Sequence, residues 1–143
     1  ERLPFMYQID EILKFVGNHT GCALDEGHET SDIVNDLGCD GDDFGELIDK
    51  FSKDYKVDIS SYRWYFHHAE EGNNFGGSIF RPPNERVERI PVTPGMLFGF
   101  ANTGKWEMQY PEHKLPKRRY DIIINQLLLV GFLCFAIYKC ASK

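Results

Sequence analysis

A glycine in the first third of the chain is surrounded by aspartates, whose carboxylates could supply the ligands of a calcium-binding loop. A loop that begins at Asp36 would place Asp40 at its fifth position and Gly41 at its sixth, as such loops require. In the same register, however, Gly38 and Leu47 occupy the third and twelfth positions, where calcium needs oxygen ligands. Helix capping and a solvated acidic helix face explain the same aspartates without a metal. We therefore predict no metal site here.

The thiols and imidazoles of the chain also lack a catalytic or zinc-binding pattern. No motif orients a base against Cys22 or Cys39, as a thiol nucleophile requires. His67 and His68 are adjacent, so their side chains diverge by about 100 degrees on a helix and face opposite sides of a strand. The ligands that a first-loop zinc site would have to combine follow no zinc spacing: His19, Cys22, His28 and Cys39. The sequence predicts neither a cofactor nor an enzyme.

Apolar residues at helical spacing predict the helices that would position these side chains. The first stripe is Met6, Ile9, Ile12, Leu13 and Val16. The second and strongest stripe is Phe44, Leu47, Ile48, Phe51 and Tyr55. We expect the first helix to stop at Gly17 and the second to begin near Asp40. Thr93 and Pro94 should start a last short helix that ends near Gly104.

A loop rich in glycine, asparagine and proline occupies residues 71–88 and interrupts both periodicities. We expect a short extended piece within it, over residues 78–80. Before this loop, a short helix capped within residues 60–61 should run through Trp64 and Phe66. Most of the many aromatic residues in this region should lie in the core, while those in the loop could instead form a docking patch.

The segment 36–43, Asp-Leu-Gly-Cys-Asp-Gly-Asp-Asp, resembles the acyl carrier protein signature Asp-Leu-Gly-x-Asp-Ser at the start of its second helix. The resemblance continues through Glu46, Leu47 and Ile59 and covers roughly residues 5–104. In that family the serine hydroxyl carries phosphopantetheine. Gly41 stands at the matching position here, and a glycine cannot form the phosphodiester. The resemblance thus implies a carrier fold without carrier chemistry and without a cofactor.

A closer similarity is to an enterobacterial family of acyl-carrier-like proteins, the domain-of-unknown-function family 1493. The shared features are Asp-Gly-Asp-Asp at 40–43, Thr-Pro-x-x-Leu at 93–97 and Gly-x-Trp at 104–106. The similarity implies a mainly α fold, an acyl-carrier-like small helical bundle, in which residues 71–88 form a loop insertion. A C-terminal apolar helix follows the bundle in this sequence. The family resemblance implies no activity.

Charge is divided unequally along the chain. Residues 1–80 hold 6 Lys and Arg against 17 Asp and Glu, whereas residues 81–143 hold 10 against 5. The acidic half should repel nucleic-acid phosphates and suit a protein partner with a basic surface. Because acyl carriers bind basic patches through an acidic second helix, the resemblance implies these partner-binding residues: Asp40, Asp42, Asp43, Glu46, Asp49 and Lys53. An ordinary solvated helix face is the alternative for each of them.

An apolar run from Ile122 to Tyr138 is interrupted only at Asn125 and Gln126. Its 17 residues would span about 25 Å as a helix, a little less than the ~30 Å hydrocarbon core of a bilayer. Flanking tyrosines and Lys139 favour a membrane span. The alternative is a buried helix that closes the core of the domain.

The predicted organisation is a helical domain over residues 1–106, a basic linker over 107–119 and a transmembrane helix over 120–139. Four basic residues precede the apolar run within this linker and only two follow the run. The positive-inside rule therefore places the N-terminal domain in the cytoplasm, on a single-pass protein of the cytoplasmic (inner) membrane. The function expected is a non-catalytic interaction module. The alternative is a protein that binds a lipid or acyl chain non-covalently in its core, which would require an apolar cavity.

Overall fold

The computed structural model describes residues 6–142, so the first five residues of the predicted domain lie outside the described range. Four α-helices follow one another: α1, Ile9–Thr20; α2, Gly41–Tyr55; α3, Pro94–Thr103; and α4, Tyr120–Ala141. Short 3-10 helices occupy Glu26–His28, Trp64–Phe66, Phe75–Ser78 and Pro83–Glu85. Among the described residues the only β contact is a single parallel bridge between Asp58 and Lys105. The predicted mainly α class with a C-terminal apolar helix is confirmed.

Helix α2 has the start and the buried face that the sequence predicts. It starts directly after Asp40, whose side chain accepts a hydrogen bond from the Gly41 amide. The buried side chains of the helix are Phe44, Leu47, Ile48 and Phe51. These pack in one core with side chains of α1 and α3, such as Ile12 and Leu97. Truncation of a fully buried leucine in such a core costs about 2–5 kcal/mol, so this face of α2 holds the domain together.

Two helix predictions need correction. Helix α1 continues through Gly17 and ends at Thr20, because the residue that takes the left-handed C-cap conformation is Gly21. Met6 lies before the helix and is 72% exposed. The short helix expected after residues 60–61 is only the 3-10 turn Trp64–Phe66. Both errors arise where tertiary contacts, and not the local pattern, decide how far a helix extends.

The loop 71–88 also differs from its prediction. In place of an extended piece over residues 78–80, the chain forms the 3-10 turn Phe75–Ser78, which Asn74 caps by accepting a hydrogen bond from the Gly77 amide. A second turn, Pro83–Glu85, packs near Trp64–Phe66. The loop therefore packs against the domain through Pro83–Glu85 and against α4 through Phe75–Ser78. Its polar groups reach both the domain and α4.

Helix α4 projects from the domain and does not enter the core. Of its described side chains only Asp121 is buried, whereas Leu127, Phe132 and Ile137 are each more than 60% exposed. Its 22 residues give a length of about 33 Å, enough to cross a hydrocarbon core of ~30 Å. By length and composition this is one helix that could span a membrane. The structure therefore does not support the alternative, in which this helix is buried and closes the core of the domain.

Candidate functional site

Two carboxylates of the chain, those of Asp40 and Glu71, cap the N-terminal end of α2. Asp40 Oδ1 accepts hydrogen bonds from the backbone amides of Gly41, at 2.8 Å, and Ala69, at 2.9 Å. The Glu71 carboxylate reaches the same helix end from the loop 71–88 and accepts a hydrogen bond from the Asp42 amide at 3.2 Å. Negative charge here is favoured by the helix dipole. The first two amides of α2, those of Gly41 and Asp42, are thus engaged inside the molecule.

Gly41 sits beneath the Glu71 carboxylate in a conformation that favours glycine. Its φ is +58°, and a Cβ placed on it would overlap the Glu71 side chain. Gly41 is also buried. Gly41 therefore offers no hydroxyl, and a residue of the loop covers it.

We expect Gly41→Ser to be destabilised and to remain unmodified. A non-glycine residue in the left-handed region costs about 1–2 kcal/mol, and Glu71 must also leave its contact with the Asp42 amide. The free energy of unfolding should be measured by denaturant titration, and the intact mass after coexpression with a broad-specificity phosphopantetheinyl transferase.

The matched control is Gly45→Ser on the same helix, where an added Cβ meets no atom within 4 Å. It should be neutral or slightly stabilising, since serine has the better helix propensity. A mass gain equal to phosphopantetheine on the Gly41→Ser chain would contradict the expectation that this position is closed.

The structure brings the sequence-predicted partner-binding residues together on the exposed side of α2. The residues concerned are Asp40, Asp42, Asp43, Glu46, Asp49 and Lys53, and all six are exposed. Asp42, Glu46 and Asp49 follow one another at spacings of four and three, which places them on one stripe opposite the buried face. We call these three residues and Asp43 the acidic face.

The carboxylates of the acidic face are unpaired, whereas Asp40 is engaged. Over residues 6–142, no hydrogen bond or ion pair involves the side chains of Asp42, Asp43, Glu46 or Asp49. Like charges at i and i+4 on a helix destabilise it by a few tenths of a kcal/mol. The acidic face is thus not maintained by contacts within the described part of the domain.

A buried histidine network lies on the other side of the core and was not predicted. His67 is 0% exposed. Its Nδ1 is 2.9 Å from the Ile90 carbonyl oxygen and its Nε2 is 2.8 Å from the Tyr110 hydroxyl, which also accepts a hydrogen bond from Trp106 Nε1 at 2.8 Å. A carbonyl oxygen can only accept, so Nδ1 carries a proton and donates it. The Tyr110 hydroxyl already accepts from Trp106 Nε1 and from the Arg63 amide, so it donates its own proton to Nε2, and the ring is neutral.

The pKa of His67 is lowered to about 4, mainly because burial disfavours the charged ring. The hydrogen bond to the Ile90 carbonyl opposes this effect, and the nearby charge of Arg89 adds to it. A neutral imidazole with both nitrogens engaged is a structural group, and it ties the segment before the loop to residues that follow α3. The adjacent His68 points elsewhere and contacts the Ala69 carbonyl. The expectation that these two histidines diverge is confirmed.

The thiol nearest the acidic face is not poised for chemistry. Cys39 is buried, and burial together with the negative charges of Asp43 and Asp40 raises the pKa of its thiol to about 11. A thiol with so high a pKa carries almost no thiolate at neutral pH, and the thiolate is the nucleophile. Among the described residues no three His, Cys, Asp or Glu side chains gather as a metal site.

A polar junction connects the loop 71–88 to the first turns of α4. Asp121 is 2% exposed and pairs with Arg119, which also pairs with Glu70. Asn74 donates to Asp121 at 2.8 Å, and Asn125 accepts from the Gly76 amide at 2.7 Å. Asp121 and Asn125 lie at i and i+4 near the start of a mainly apolar helix, on the same side of it, and this spacing is the signal in the sequence for such a junction.

A family model described as "Protein of unknown function (DUF1493)" matches residues 8–109, which is more than two thirds of the chain. The chain belongs to this family. No curated protein and no solved structure matches it. The matched DUF1493 region contains α1, α2, α3 and the loop 71–88, and it ends within the His67 network, one residue before Tyr110. Helix α4 and residues 110–119 lie beyond the match.

The DUF1493 region therefore includes every residue of the acidic face and both carboxylates that close the start of α2. The polar junction, by contrast, combines Glu70 and Asn74 of the DUF1493 region with Arg119 and Asp121 beyond it. The family match covers the domain and its acidic face and does not extend to α4.

Proposed function

We propose that the chain is a non-catalytic interaction module with an acyl-carrier-like fold, which binds a basic partner protein through the acidic face of α2. Helix α4 holds the module at the cytoplasmic face of the inner membrane. The observation that carries the proposal is the acidic face itself: exposed carboxylates, aligned on one helix, with no partner in the described part of the chain. Complementary charge on a partner gives fast association and orientation.

The acyl-carrier-like relationship is supported by the way α2 begins. The helix starts at Gly41 directly after its Asp40 cap, at the place where the carrier signature predicts a helix to start. The closed Gly41 position supports loss of the prosthetic group, since Glu71 occupies the space that a modified serine would need. An acidic recognition helix would then be the part of the carrier that this protein retains.

The membrane location is supported by α4 and by the charges that flank it. In the sequence, the apolar run is preceded by Lys114, Lys117, Arg118 and Arg119 and is followed only by Lys139 and Lys143. This asymmetry favours a cytoplasmic domain. A basic partner and a membrane anchor are compatible, because the acidic domain would be repelled by anionic lipid while the basic segment before α4 would be attracted.

Non-covalent lipid binding in the core has less support. The core side chains Phe44, Phe51 and Leu97 are completely buried and belong to one hydrophobic cluster. The larger cavities described lie at the surface, for example beside α1 at Asp10 and Lys14. A core that held an acyl chain would need space between these side chains.

The proposal is tested by comparing two triple variants of the full chain with equal changes in net charge. The first, Asp42→Lys, Asp43→Lys and Glu46→Lys, reverses the acidic face. The control, Glu88→Lys, Glu107→Lys and Glu112→Lys, reverses three exposed carboxylates elsewhere that make no hydrogen bond or ion pair among residues 6–142. A partner is first isolated by affinity capture from native membranes and is then purified.

We expect the acidic-face variant to bind the purified partner at least about tenfold more weakly, and the control to bind nearly as the wild type. Both variants should keep their helical circular dichroism, because exposed charges contribute little stability. Equal weakening by the two variants would show that only net charge matters, and no weakening would place the interface elsewhere.

A further inference from the structure

A cavity of about 250 Å³ lies where the segment before α4 meets the loop 71–88. Its apolar walls include Trp64, Tyr65, Phe80 and Tyr120. Its charged walls are Arg81, Arg86, Arg118, Arg119 and Asp121. Four arginines against one aspartate give the lining a net positive charge, which suits an anionic ligand.

The arginines of this cavity are unequally engaged. Arg119 Nη2 lies 2.7 Å from a carboxylate oxygen of Glu70 and 2.6 Å from one of Asp121. These ion pairs neutralise the guanidinium group of Arg119 and hold it in place as one wall of the cavity. Arg86 donates from Nε to the Arg81 carbonyl oxygen at 2.6 Å, which holds these two residues side by side and leaves its terminal nitrogens available. In the part of the chain that the structure describes, neither the Arg81 nor the Arg118 side chain makes an ion pair or hydrogen bond.

The cavity is located at the end of α4 that joins the domain. Tyr120 is the first residue of α4 and its ring lies 5.6 Å from that of Phe80, centroid to centroid. Two neighbouring loop residues, Phe75 and Ile79, are 70% and 68% exposed. Phe75 also lines a groove with Leu128 on the side of α4. Exposed aromatic and apolar side chains beside the start of a span belong at the level of the lipid headgroups.

We propose that this cavity binds the phosphodiester headgroup of an anionic phospholipid, through the guanidinium groups of Arg81, Arg86 and Arg118. Planar guanidinium groups match phosphate oxygens in pairs, and the aromatic walls accommodate the apolar part of the lipid next to the headgroup. The proposal rests on the membrane location in the proposed function, because that location brings a lipid headgroup, and not free phosphate, to the cavity.

The test uses the full chain reconstituted in vesicles of equal parts phosphatidylcholine and phosphatidylglycerol, then released in mild detergent for native mass spectrometry. We expect the wild type to retain phosphatidylglycerol in preference to phosphatidylcholine. Arg81→Gln with Arg118→Gln should lower that retention by about fivefold for each arginine removed. Neither substitution removes a side-chain hydrogen bond or ion pair of residues 6–142, so both should leave the helical circular dichroism unchanged.

The matched control is Lys14→Gln with Lys105→Gln, which removes two exposed positive charges outside the cavity. It should keep the preference for phosphatidylglycerol. Equal retention of the two lipids by the wild type, or an equal loss in the control, would overturn the proposal. Displacement of phosphatidylglycerol by millimolar inorganic phosphate would assign the cavity to free phosphate and overturn the lipid source.

Carbonate extraction of the same membranes distinguishes failure of the headgroup site from failure of the membrane location on which it rests. A wild-type chain that is fully extracted would overturn the membrane location. A chain that stays in the membrane but shows no lipid preference would overturn the headgroup site alone, and the acidic face would still be open to its partner.

Discussion

Acidification from pH 7 to about pH 4 should cost the domain up to about 3 kcal/mol of stability through His67 alone. The pKa of His67 is about 4 in the folded chain, below the ordinary value of 6.5, because burial disfavours the charged ring. The unfolded chain therefore binds a proton first as the pH falls. The contribution of the neutral His67 ring to the free energy of unfolding is complete above about pH 6.5 and is lost progressively between pH 6.5 and pH 4.

The measurement is the free energy of unfolding from denaturant titrations at several pH values, for the wild type and His67→Gln. The variant should be less stable at pH 7, because it lacks the hydrogen bonds of the imidazole ring to the Ile90 carbonyl and the Tyr110 hydroxyl. It should not show the part of the stability loss between pH 6.5 and pH 4 that comes from protonation of His67. The difference between the two chains cancels the titration of shared carboxylates. Parallel curves for the two chains would show that His67 does not titrate as proposed.

Two arginines in the middle of α4 should release the chain from the membrane. Leu129 and Phe132 are 59% and 68% exposed and make no contribution to the core, so Leu129→Arg with Phe132→Arg should leave the domain folded. An arginine at the centre of a span costs about 2.5–3.5 kcal/mol on the insertion scale, so the pair costs about 5–7 kcal/mol. We expect the variant to appear in the soluble fraction after alkaline carbonate extraction.

The control for that experiment is Leu129→Ala with Phe132→Ala, which shortens the same side chains without adding charge and should remain in the membrane fraction. Membrane retention of the arginine variant would mean that a surface contact, and not a span, holds the chain. That outcome would also remove the argument for a cytoplasmic domain, which depends on α4 crossing the bilayer.

The parts of the fold that the sequence predicts well are those decided by near neighbours. The buried face of α2 and its Asp40 cap follow from spacings within one helix. The start of α3 at Thr93 and Pro94 is equally local, because Thr93 accepts a hydrogen bond from an amide three residues later. The end of α1 lies one turn beyond the predicted one, because either Gly17 or Gly21 could end the helix and only tertiary structure selects between them.

The parts of the site that could not be predicted depend on residues far apart in the chain. Glu71 covers Gly41 from 30 positions away, and the distance along the chain between His67 and Tyr110 is 43 residues. Periodicity gives no information on such pairs. Asp121 shows the intermediate case: a carboxylate in an apolar helix signals a buried polar contact, but the sequence does not say that Arg119 and Asn74 provide it.

The most direct measurement of the central claim is the salt dependence of partner binding by the full chain. If the acidic face carries the interaction, the logarithm of the dissociation constant should rise with the logarithm of salt concentration, because screening weakens exposed charge pairs. The variant Asp42→Lys, Asp43→Lys and Glu46→Lys should bind more weakly and with a flatter slope. The control variant at Glu88, Glu107 and Glu112 should keep the wild-type slope. Wild-type binding that is unchanged between low and high salt, or a slope that the acidic-face variant leaves intact, would contradict a charge-mediated interaction through α2.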